Sequence, residues 1–487
     1  MKRKKMKKSS PNSKANKNIL RLAYMVAGIF VCMILYLGYF LQFESDSAIN
    51  NAYNPRVDLL AERVVRGEIR SADGQVLAKT VTAEDGTERR EYPFGPLYAH
   101  VVGYTGNGRT GIESLTNFYL LTSHVNLVEQ VLNQFSGTKN LGDDVVTTLD
   151  STLQQTAYDL LGDRRGAVVA MEPDTGKILA MISKPDYDPN TIAEDWDALT
   201  ADEAGEARLL NRATQGLYAP GSTFKILTLL EYLREHPSDY GEFHFDCDGT
   251  YEMGEYTIRC YHGEAHGSQN LTQAFANSCN GAFAQIGMSL DKESFRGLAE
   301  ELLYNKPLPL SLSYSQSSFA MTAEADDWET LQTAIGQGKT QTSPMHTLMI
   351  TSAIANGGTL MKPYLVDHLE NAGGQEVEKF MPSSYGQLMT AEEAGQLTEF
   401  MRSVVTEGTG SAVRTDAYTV AGKTGSAEFE TGKETHAWFA GFAPAEDPRI
   451  AVVVLVEEAG SGGRAAAPIA RGIFDAYFAG GDSHLET

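Results

Sequence analysis

Ser222 and Lys225 are the residues of this sequence whose types and spacing point most directly to chemistry. They lie in the segment Tyr218–Leu230 (YAPGSTFKILTLL), where Pro220 and Gly221 interrupt the chain just before a nearly continuous apolar run. Such a run predicts a buried helix, and a spacing of three residues places the hydroxyl and the amine one turn apart on one face. A partly desolvated lysine can lose its charge and accept the serine proton, and the positive end of the helix dipole favours a developing oxyanion. The pair therefore predicts an activated serine nucleophile, although Ser-x-x-Lys alone is also common as a helix cap beside a solvated lysine.

Two further motifs follow in the chain. Ser278-Cys279-Asn280 begins 56 residues after Ser222, and Lys423-Thr424-Gly425 begins 145 residues after Ser278. Helical patterns flank the first motif, so Ser278 and Asn280 are expected on a turn between helices, whereas the second lies on an extended segment. Alone, the first would be a helix cap and the second a β-turn. Together with the serine and lysine upstream, they predict three distant segments that converge on one cleft.

Three of the four cysteines lie close together in the sequence. Cys32 falls in an apolar N-terminal stretch, whereas Cys247, Cys260 and Cys279 fall within 33 residues that also contain His266. A Cys247–Cys260 disulfide is one interpretation, since an external location is oxidising. A structural zinc site of Cys247, Cys260, His266 and Cys279 is the second, because three thiolates and one imidazole form a tetrahedral set. Three free thiols are the third.

The N-terminal region has the charge pattern of a membrane anchor. Nine cations and no acid occur in the first 21 residues, and the next twenty, Leu22–Leu41, carry no charge. Twenty apolar residues match the thickness of a bilayer core, and aromatic residues gather at the far end. We therefore expect an uncleaved anchor rather than a cleaved signal, with the basic flank in the cytoplasm and the rest of the chain outside. All 63 acidic residues follow this anchor, which argues against nucleic-acid binding.

The remaining chain is long enough for more than one domain. Residues 44–148 show short alternating runs separated by turns and no catalytic cluster, which predicts a small β-rich module. In the rest, helical patterns lie between two strands near the start and three near the end, which implies one antiparallel sheet with helices on both faces. The predicted strands are Gly166–Met171, Lys177–Ile182, Tyr418–Phe429, Trp438–Ala443 and Ile450–Val456.

The three motifs in this order resemble the signature of the class B penicillin-binding proteins, which are peptidoglycan D,D-transpeptidases. The likeness runs from the anchor to about Ala479, and Ser426 stands where many relatives have threonine. Further segments that carry it are Arg66–Ile69, Asp73–Ala78, Gly111–Glu113, Gly422–Glu428 and Trp438–Pro444.

The resemblance implies a fold and a domain order. It implies an α/β fold of the α+β type, in which helices cover both faces of an antiparallel five-stranded sheet, together with a small pedestal domain and one transmembrane helix. The domains would be a basic cytoplasmic tail (1–21), an anchor (22–43), a pedestal (44–148) and a transpeptidase domain (149–487).

The resemblance also implies a role for each motif residue. Ser222 would attack the penultimate D-Ala carbonyl of a stem peptide, with Lys225 as the base. Ser278 would relay a proton to the leaving amine, and Asn280 would hydrogen-bond Lys225 or the substrate. The third motif would supply the remaining groups: Lys423 a fixed positive charge that also lowers the Lys225 pKa, Thr424 a hydroxyl for the substrate carboxylate, Gly425 part of the substrate-binding strand, and Ser426 an oxyanion N–H beside that of Ser222.

Catalysis would need no cofactor, and the expected partners are stem peptides, β-lactams, the membrane and a polytopic glycan polymerase of the SEDS type. The process served would be elongation or division. Two alternatives use the same serine chemistry: a membrane-anchored β-lactam sensor, and a D,D-carboxypeptidase or β-lactamase that passes the acyl group to water. A third is a catalytically silent scaffold of a division complex, against which the intact motifs argue.

Overall fold

The structure, a computed structural model, describes residues 11–43, 60–428 and 433–480. Two compact units divide the chain after Leu59. The described part of the first is one helix, α1 (Pro11–Phe43), whose segment Lys17–Phe40 has a mean hydropathy of 2.1 and is long enough to cross a membrane. This helix begins before the predicted anchor. Of the predicted segments, residues 1–10 of the basic tail, 44–59 of the pedestal, Phe429 at the end of a strand and 481–487 lie outside the described residues.

The second unit begins with short elements. In chain order they are β1 (Val64–Val65), β2 (Ile69–Arg70), β3 (Val76–Thr82), β4 (Glu88–Glu91), α2 (Ala99–Val102), α3 (Gly111–Leu115), α4 (Asn117–Leu120), α5 (Leu127–Ser136), β5 (Asn140–Leu141) and β6 (Asp144–Thr147).

Longer elements follow. They are α6 (Ser151–Leu161), β7 (Gly166–Met171), β8 (Ile178–Lys184), α7 (Ile192–Ala201), α8 (Lys225–Glu235), β9 (His244–Cys247), β10 (Thr250–Met253), β11 (Tyr256–Arg259), β12 (Gly267–Asn270), α9 (Leu271–Ala276), α10 (Asn280–Ser289), α11 (Lys292–Glu301), α12 (Asp327–Ala334) and α13 (Pro344–Ala355). The last group is β13 (Thr359–Met361), β14 (Val366–Glu370), β15 (Glu376–Lys379), β16 (Ser384–Gln387), α14 (Ala391–Thr406), β17 (Ala421–Ala427), β18 (His436–Ala443), β19 (Ile450–Val456), α15 (Gly462–Ala465) and α16 (Ala467–Ala479).

The central sheet has five strands in the order β17-β18-β19-β7-β8, and every neighbouring pair is antiparallel. Its inner strands are buried along their whole length, which explains why they appear in the sequence as continuous apolar runs. Helices α6 and α16 pack against each other and against the sheet, while α13 packs on β7, β18 and β19. The predicted fold class is confirmed, and β17 forms one edge of the sheet.

A second sheet has six strands in the order β15-β14-β6-β2-β3-β4, and only some of them come from the segment that was predicted as the pedestal. The segment predicted as the pedestal supplies four of its strands, whereas β14 and β15 come from residues 366–379. Behind this sheet, the buried carboxylate of Glu113 contacts the guanidinium groups of Arg66 and Arg90. Burial alone would raise the pKa of Glu113, but the two cations together lower it.

Between α8 and α9 the chain forms two short antiparallel ladders, β9 with β12 and β10 with β11. The sequence analysis predicted no strands there. This region, residues 244–270, carries two of the three clustered cysteines and His266, and it leads directly into the second motif.

Candidate active site

Ser222 lies on a tight 3-10 turn, Gly221–Phe224, that precedes α8, rather than in the first turn of an α-helix as predicted. Gly221 begins the turn with a φ of +55°, and its N–H donates to the Gly336 carbonyl at 2.9 Å. A Cβ on Gly336 would lie 1.9 Å from the Gly221 carbonyl oxygen, so both positions require glycine. The contact with Gly336 therefore fixes the turn, which holds Ser222 half-buried just before the helix that carries Lys225.

Lys225 is fully buried and points at the second motif. Its Nζ donates to the Ser278 carbonyl oxygen at 2.6 Å, to Asn280 Oδ1 at 2.7 Å and to Ser278 Oγ at 3.4 Å. Burial lowers the pKa of Lys225 to about 8, because an ammonium group loses its hydration there. At neutral pH a useful fraction of this amine is therefore uncharged and able to accept a proton.

The second motif forms the turn between α9 and α10, as its flanking patterns predicted. Ser278 has a φ of +57°, and Cys279 caps α10 through its sulfur, which accepts from the Ala282 N–H at 3.5 Å. Asn280 is the first residue of α10, and its Nδ2 donates to the Arg259 carbonyl at 2.9 Å. The turn thus presents a serine hydroxyl and an amide oxygen on the side of Lys225.

Lys423 projects from β17 and is also fully buried. Its Nζ donates to Ser278 Oγ at 2.8 Å and to the Thr424 carbonyl at 3.0 Å, so the Ser278 hydroxyl lies between the two lysine amines. Burial, and then the charge of Lys225, lower the pKa of Lys423 well below its usual value. Burial is the main cause of the lowered pKa of both lysines, and the expectation that Lys423 lowers the Lys225 pKa stays a prediction.

The edge strand β17 lies directly against the Ser222 turn. A Cβ on Gly425 would lie 3.2 Å from Thr223 Cγ2 and 3.3 Å from the Pro220 carbonyl, so glycine permits the close approach. The Gln337 side-chain amide donates to the Ser426 carbonyl at 3.5 Å on the free edge of the strand. Because the N–H and C=O of one strand residue point to the same edge, the Ser426 N–H also faces this edge, on the side of Ser222.

Thr409 is a neighbour of the site that sequence reasoning missed. Its hydroxyl is 2.6 Å from that of Thr424, and its N–H donates to the Ala276 carbonyl at the end of α9. Thr409 therefore links the second and third motifs. The only signal in the sequence is the pair of glycines that flank it in Gly408-Thr409-Gly410, which marks a loop without indicating its position.

The three clustered cysteines and His266 meet beside the second motif. Cys247 Sγ is 3.7 Å from Cys260 Sγ and 3.3 Å from His266 Nδ1, and Cys260 Sγ is 3.8 Å from Cys279 Sγ. All three cysteines are free and buried, whereas a disulfide needs about 2.05 Å between sulfurs, so the Cys247–Cys260 disulfide, one of the three interpretations, is not formed. The four donor atoms lie within 4.8 Å of one another. With Zn–S bonds of about 2.3 Å, a tetrahedral zinc holds two sulfurs about 3.8 Å apart, so this donor set fits zinc.

Comparisons with known proteins agree with this geometry. A family model described as the penicillin binding protein transpeptidase domain matches residues 166–475, and one described as the penicillin binding protein A dimerisation domain matches residues 66–145. The peptidoglycan D,D-transpeptidase PbpA of Mycolicibacterium smegmatis is 32% identical in an alignment 490 residues long. The alignment covers 94% of this chain and 98% of the relative.

Two solved structures extend the likeness to three dimensions. The D,D-transpeptidase domain of a peptidoglycan glycosyltransferase from Eggerthella lenta superposes with a TM-score of 0.77 at 36% identity and covers 86% of this chain and 99% of its own. Penicillin-binding protein A from Mycobacterium tuberculosis, solved as a ceftriaxone acyl-enzyme, gives a TM-score of 0.78 at 30% identity, with 86% and 99% coverage. Because a transpeptidase family model matches more than half of the chain and curated relatives match nearly all of it, the chain belongs to the class B penicillin-binding proteins, the serine-type D,D-transpeptidases.

Proposed function

We propose that this protein cross-links peptidoglycan stem peptides through an acyl-enzyme on Ser222. The observation that carries the proposal is the Ser278 hydroxyl, which bridges the amines of Lys225 and Lys423 next to the serine turn. The neutral Lys225 amine takes the Ser222 proton as the oxygen attacks the penultimate D-Ala carbonyl. The N–H groups of Ser222 and Ser426 stabilise the oxyanion, and removal of one such donor typically costs about 100-fold or more in rate.

Ser278 is suited to the proton transfer that releases the terminal D-Ala. Both lysine amines donate towards its oxygen, so its own proton is free to point into the cleft towards the leaving amine. That amine takes a proton as the C–N bond breaks, and Ser278 regains one from the ammonium group of Lys225. An acceptor amine of a second stem peptide then attacks the acyl-enzyme and restores the Ser222 hydroxyl.

The substrate carboxylate is proposed to bind at the third motif. A carboxylate beside Lys423 would favour the protonated form of this lysine, whose pKa burial lowers, since an opposite charge stabilises the ammonium group. Thr424 donates its hydroxyl to the same carboxylate, with Thr409 behind it, and Gly425 leaves the strand edge open to a peptide. β-Lactams present an equivalent carboxylate and amide, and they acylate the same serine. All these groups belong to side chains and backbone, so catalysis requires no cofactor.

We further propose that Cys247, Cys260, His266 and Cys279 hold a structural zinc ion. Four protein ligands leave no open coordination position, so the ion would stabilise the loop and take no part in acyl transfer. Buried thiols at 3.7 and 3.8 Å support zinc over three inert thiols, because they have the spacing that one ion imposes. Zinc analysis of protein purified without added metal tests this point, and the absence of stoichiometric zinc would reject it.

The chain is proposed to be a single-pass membrane protein with its catalytic domain outside the cell. The apolar stretch Leu22–Leu41 of α1 and the nine cations in the 21 residues before this stretch support a cytoplasmic N-terminus. The domain order follows: a cytoplasmic tail (1–21), an anchor (22–43), a pedestal (44–148) and a transpeptidase domain (149–487). A SEDS-type glycan polymerase is the proposed partner of the anchor and pedestal, in elongation or division.

Labelling of membranes with a fluorescent penicillin tests the acyl-enzyme proposal. The wild-type chain is expected to be labelled covalently, and Ser222→Ala to lose all labelling while keeping its thermal unfolding temperature. Supplied with a donor stem peptide and an acceptor amine, the wild-type enzyme should form more amide than hydrolysis product. A predominance of hydrolysis would favour the carboxypeptidase or β-lactamase alternative, and labelling that persists in Ser222→Ala would reject the nucleophile.

A further inference from the structure

The side-chain amide of Asn280 is held at both ends. Its Oδ1 accepts from Lys225 Nζ at 2.7 Å, and its Nδ2 donates to the Arg259 carbonyl at 2.9 Å. An amide whose NH₂ group is bound to a carbonyl must direct its oxygen the opposite way, here at the lysine. If the amide rotated, its NH₂ group would face the ammonium group of Lys225. The hydrogen bond to the Arg259 carbonyl therefore fixes the orientation in which the Asn280 oxygen faces the amine of Lys225, the proposed base.

Both ends of this contact are adjacent in the chain to members of the thiol cluster. Arg259 directly precedes Cys260, and Asn280 directly follows Cys279. The two sulfurs are 3.8 Å apart, within the spacing of ligands on one tetrahedral ion. Bound to one ion, these two cysteines would keep the Arg259 carbonyl and the Asn280 amide at a fixed separation.

Arg259 is held on one side by the ladder, since it pairs with Thr250 of β10 and follows the buried Ile258. On its other side the next residue is the proposed ligand Cys260. The segment from β10 to His266 is mostly exposed, and the Arg259 side chain itself lies in solvent. The small core under this segment consists of the three cysteines with Phe245, Ala274 and Ala282, so half of its members are the ligands themselves. The chain after Arg259 is exposed from residue 261 to residue 265, and a segment with so few buried contacts opens locally at low cost unless a bound ligand holds it.

We propose that Arg259 is a positioning residue that acts through its main-chain carbonyl, and that the Cys₃His cluster is what keeps this carbonyl against Asn280. The inference rests on the proposed acyl-enzyme chemistry and on the proposed zinc site, and it assigns the metal cluster a task beyond stability. Loss of one ligand releases the Arg259 carbonyl, the Asn280 amide loses its fixed orientation, and the Lys225 amine loses its place beside Ser278. The four proposed ligands would thus act on the reaction only through the positions of Asn280 and Lys225.

The test uses the full-length protein in detergent and three histidine variants. His266→Ala removes a ligand, His266→Cys replaces it with a fourth thiolate that zinc also accepts, and His244→Ala removes an exposed histidine outside the cluster. For each variant we would measure zinc content, the fraction of chains labelled by excess fluorescent penicillin, and the acylation rate as a function of penicillin concentration. The labelled fraction reports folding, whereas the rate at saturation reports the position of the base.

We expect His266→Ala to lose zinc, to be labelled to the same final fraction, and to acylate at saturation at least 10-fold more slowly with an unchanged half-saturating concentration. His266→Cys should keep zinc and stay within about threefold of the wild-type rate, and His244→Ala should match the wild type. A zinc-free His266→Ala that acylates at the wild-type rate would overturn the inference. So would a loss confined to the labelled fraction, since that is the mark of a purely structural ion.

Chelation covers the case in which His266→Ala does not fold. Zinc is stripped from the folded wild-type protein, and the saturating rate should fall and then recover when zinc is added back; an unchanged rate after stripping would overturn the inference. Wild-type protein that contains no zinc would reject both the metal site and this inference, while acylation of Ser222 would stand. Labelling that survives Ser222→Ala would reject the acyl-enzyme instead, so the failures are distinguishable.

Discussion

The pH dependence of acylation tests whether Lys225 is the base. Burial lowers the pKa of this amine from 10.5 to about 8, which corresponds to roughly 3 kcal/mol of lost preference for the charged form. The neutral amine is the reactive form, so a lower pKa means more active enzyme at neutral pH. With a pKa of about 8, the neutral fraction rises from about one tenth at pH 7 to about nine tenths at pH 9. The acylation rate at saturating penicillin should therefore rise about 10-fold over this interval and then level off.

An ordinary lysine behaves differently over the same range. With a pKa of 10.5 it would give a rise of about 100-fold between pH 7 and pH 9, with no plateau. Rapid mixing with saturating fluorescent penicillin between pH 6 and pH 10 separates the two curves, and circular dichroism at each pH checks that the protein stays folded. A rate that is constant from pH 6 to pH 9 would refute the assignment of Lys225 as the base.

Asn280→Asp is the matched variant for this experiment. It keeps the shape of the side chain but places a carboxylate where an amide oxygen now accepts from Lys225 at 2.7 Å. A negative neighbour favours the ammonium form and typically moves a pKa by one to three pH units, so the midpoint should move upward from about 8. The rate at pH 7 should fall about 10-fold or more. A midpoint that stays in place would show that another group controls the profile.

Three further predictions concern single positions. Gly336→Ala should lower the free energy of unfolding by about 1–3 kcal/mol and slow acylation, because its Cβ would press on the Gly221 carbonyl at the start of the serine turn. Urea unfolding measures the first effect, and the rate of penicillin labelling measures the second. Glu113→Gln should cost about 3–5 kcal/mol in urea unfolding, because two buried guanidinium groups lose their shared carboxylate. Ser278→Gly and Ser278→Ala should acylate equally slowly, yet the glycine variant should be more stable by about 1 kcal/mol, since glycine adopts a φ of +57° without strain.

The sequence was sufficient to predict the central sheet and the convergence of the motifs, for a physical reason. Strands buried on both faces, such as β7 and β19, appear as uninterrupted apolar runs bounded by turns. The motif residues are few, and their chemistry restricts what can surround them: a lysine without solvent must have acceptors, and Lys225 finds them in the second motif. The apolar runs are local in the sequence, and the acceptors follow from the chemistry of a buried lysine, so a single sequence is enough to predict both.

The parts that were missed depend on contacts between distant residues. Strands β14 and β15 join the pedestal sheet from more than 200 residues away, and no local pattern shows which sheet a short polar strand will enter. Strands β9 to β12 are each only four residues long. β9 alternates exposed and buried residues, but the other three strands bury at most one residue each, so no periodic pattern is long enough to identify the ladders. Hydrogen bonds to the Thr424 hydroxyl and to the Ala276 carbonyl at the end of α9 position Thr409, and neither partner is near it in the sequence. In each case the tertiary contact, and not the local sequence, selects the conformation.

The turn that carries Ser278 shows how local structure and chemistry compete at one residue. The Ser278 N–H donates to Phe275 and the Cys279 N–H to Ala274, which is the hydrogen-bond pattern that ends a helix with a left-handed residue. Glycine is the residue that this pattern favours, and a serine with a φ of +57° costs about 1–2 kcal/mol. The left-handed turn places the Ser278 hydroxyl between two buried amines, within 3.4 Å of Lys225 Nζ and 2.8 Å of Lys423 Nζ. Ala207 and Leu303, which lie outside the site, also have a positive φ, so the φ alone does not single out Ser278. The position of its hydroxyl between two lysine amines does, and this position is what the proposed proton transfer requires.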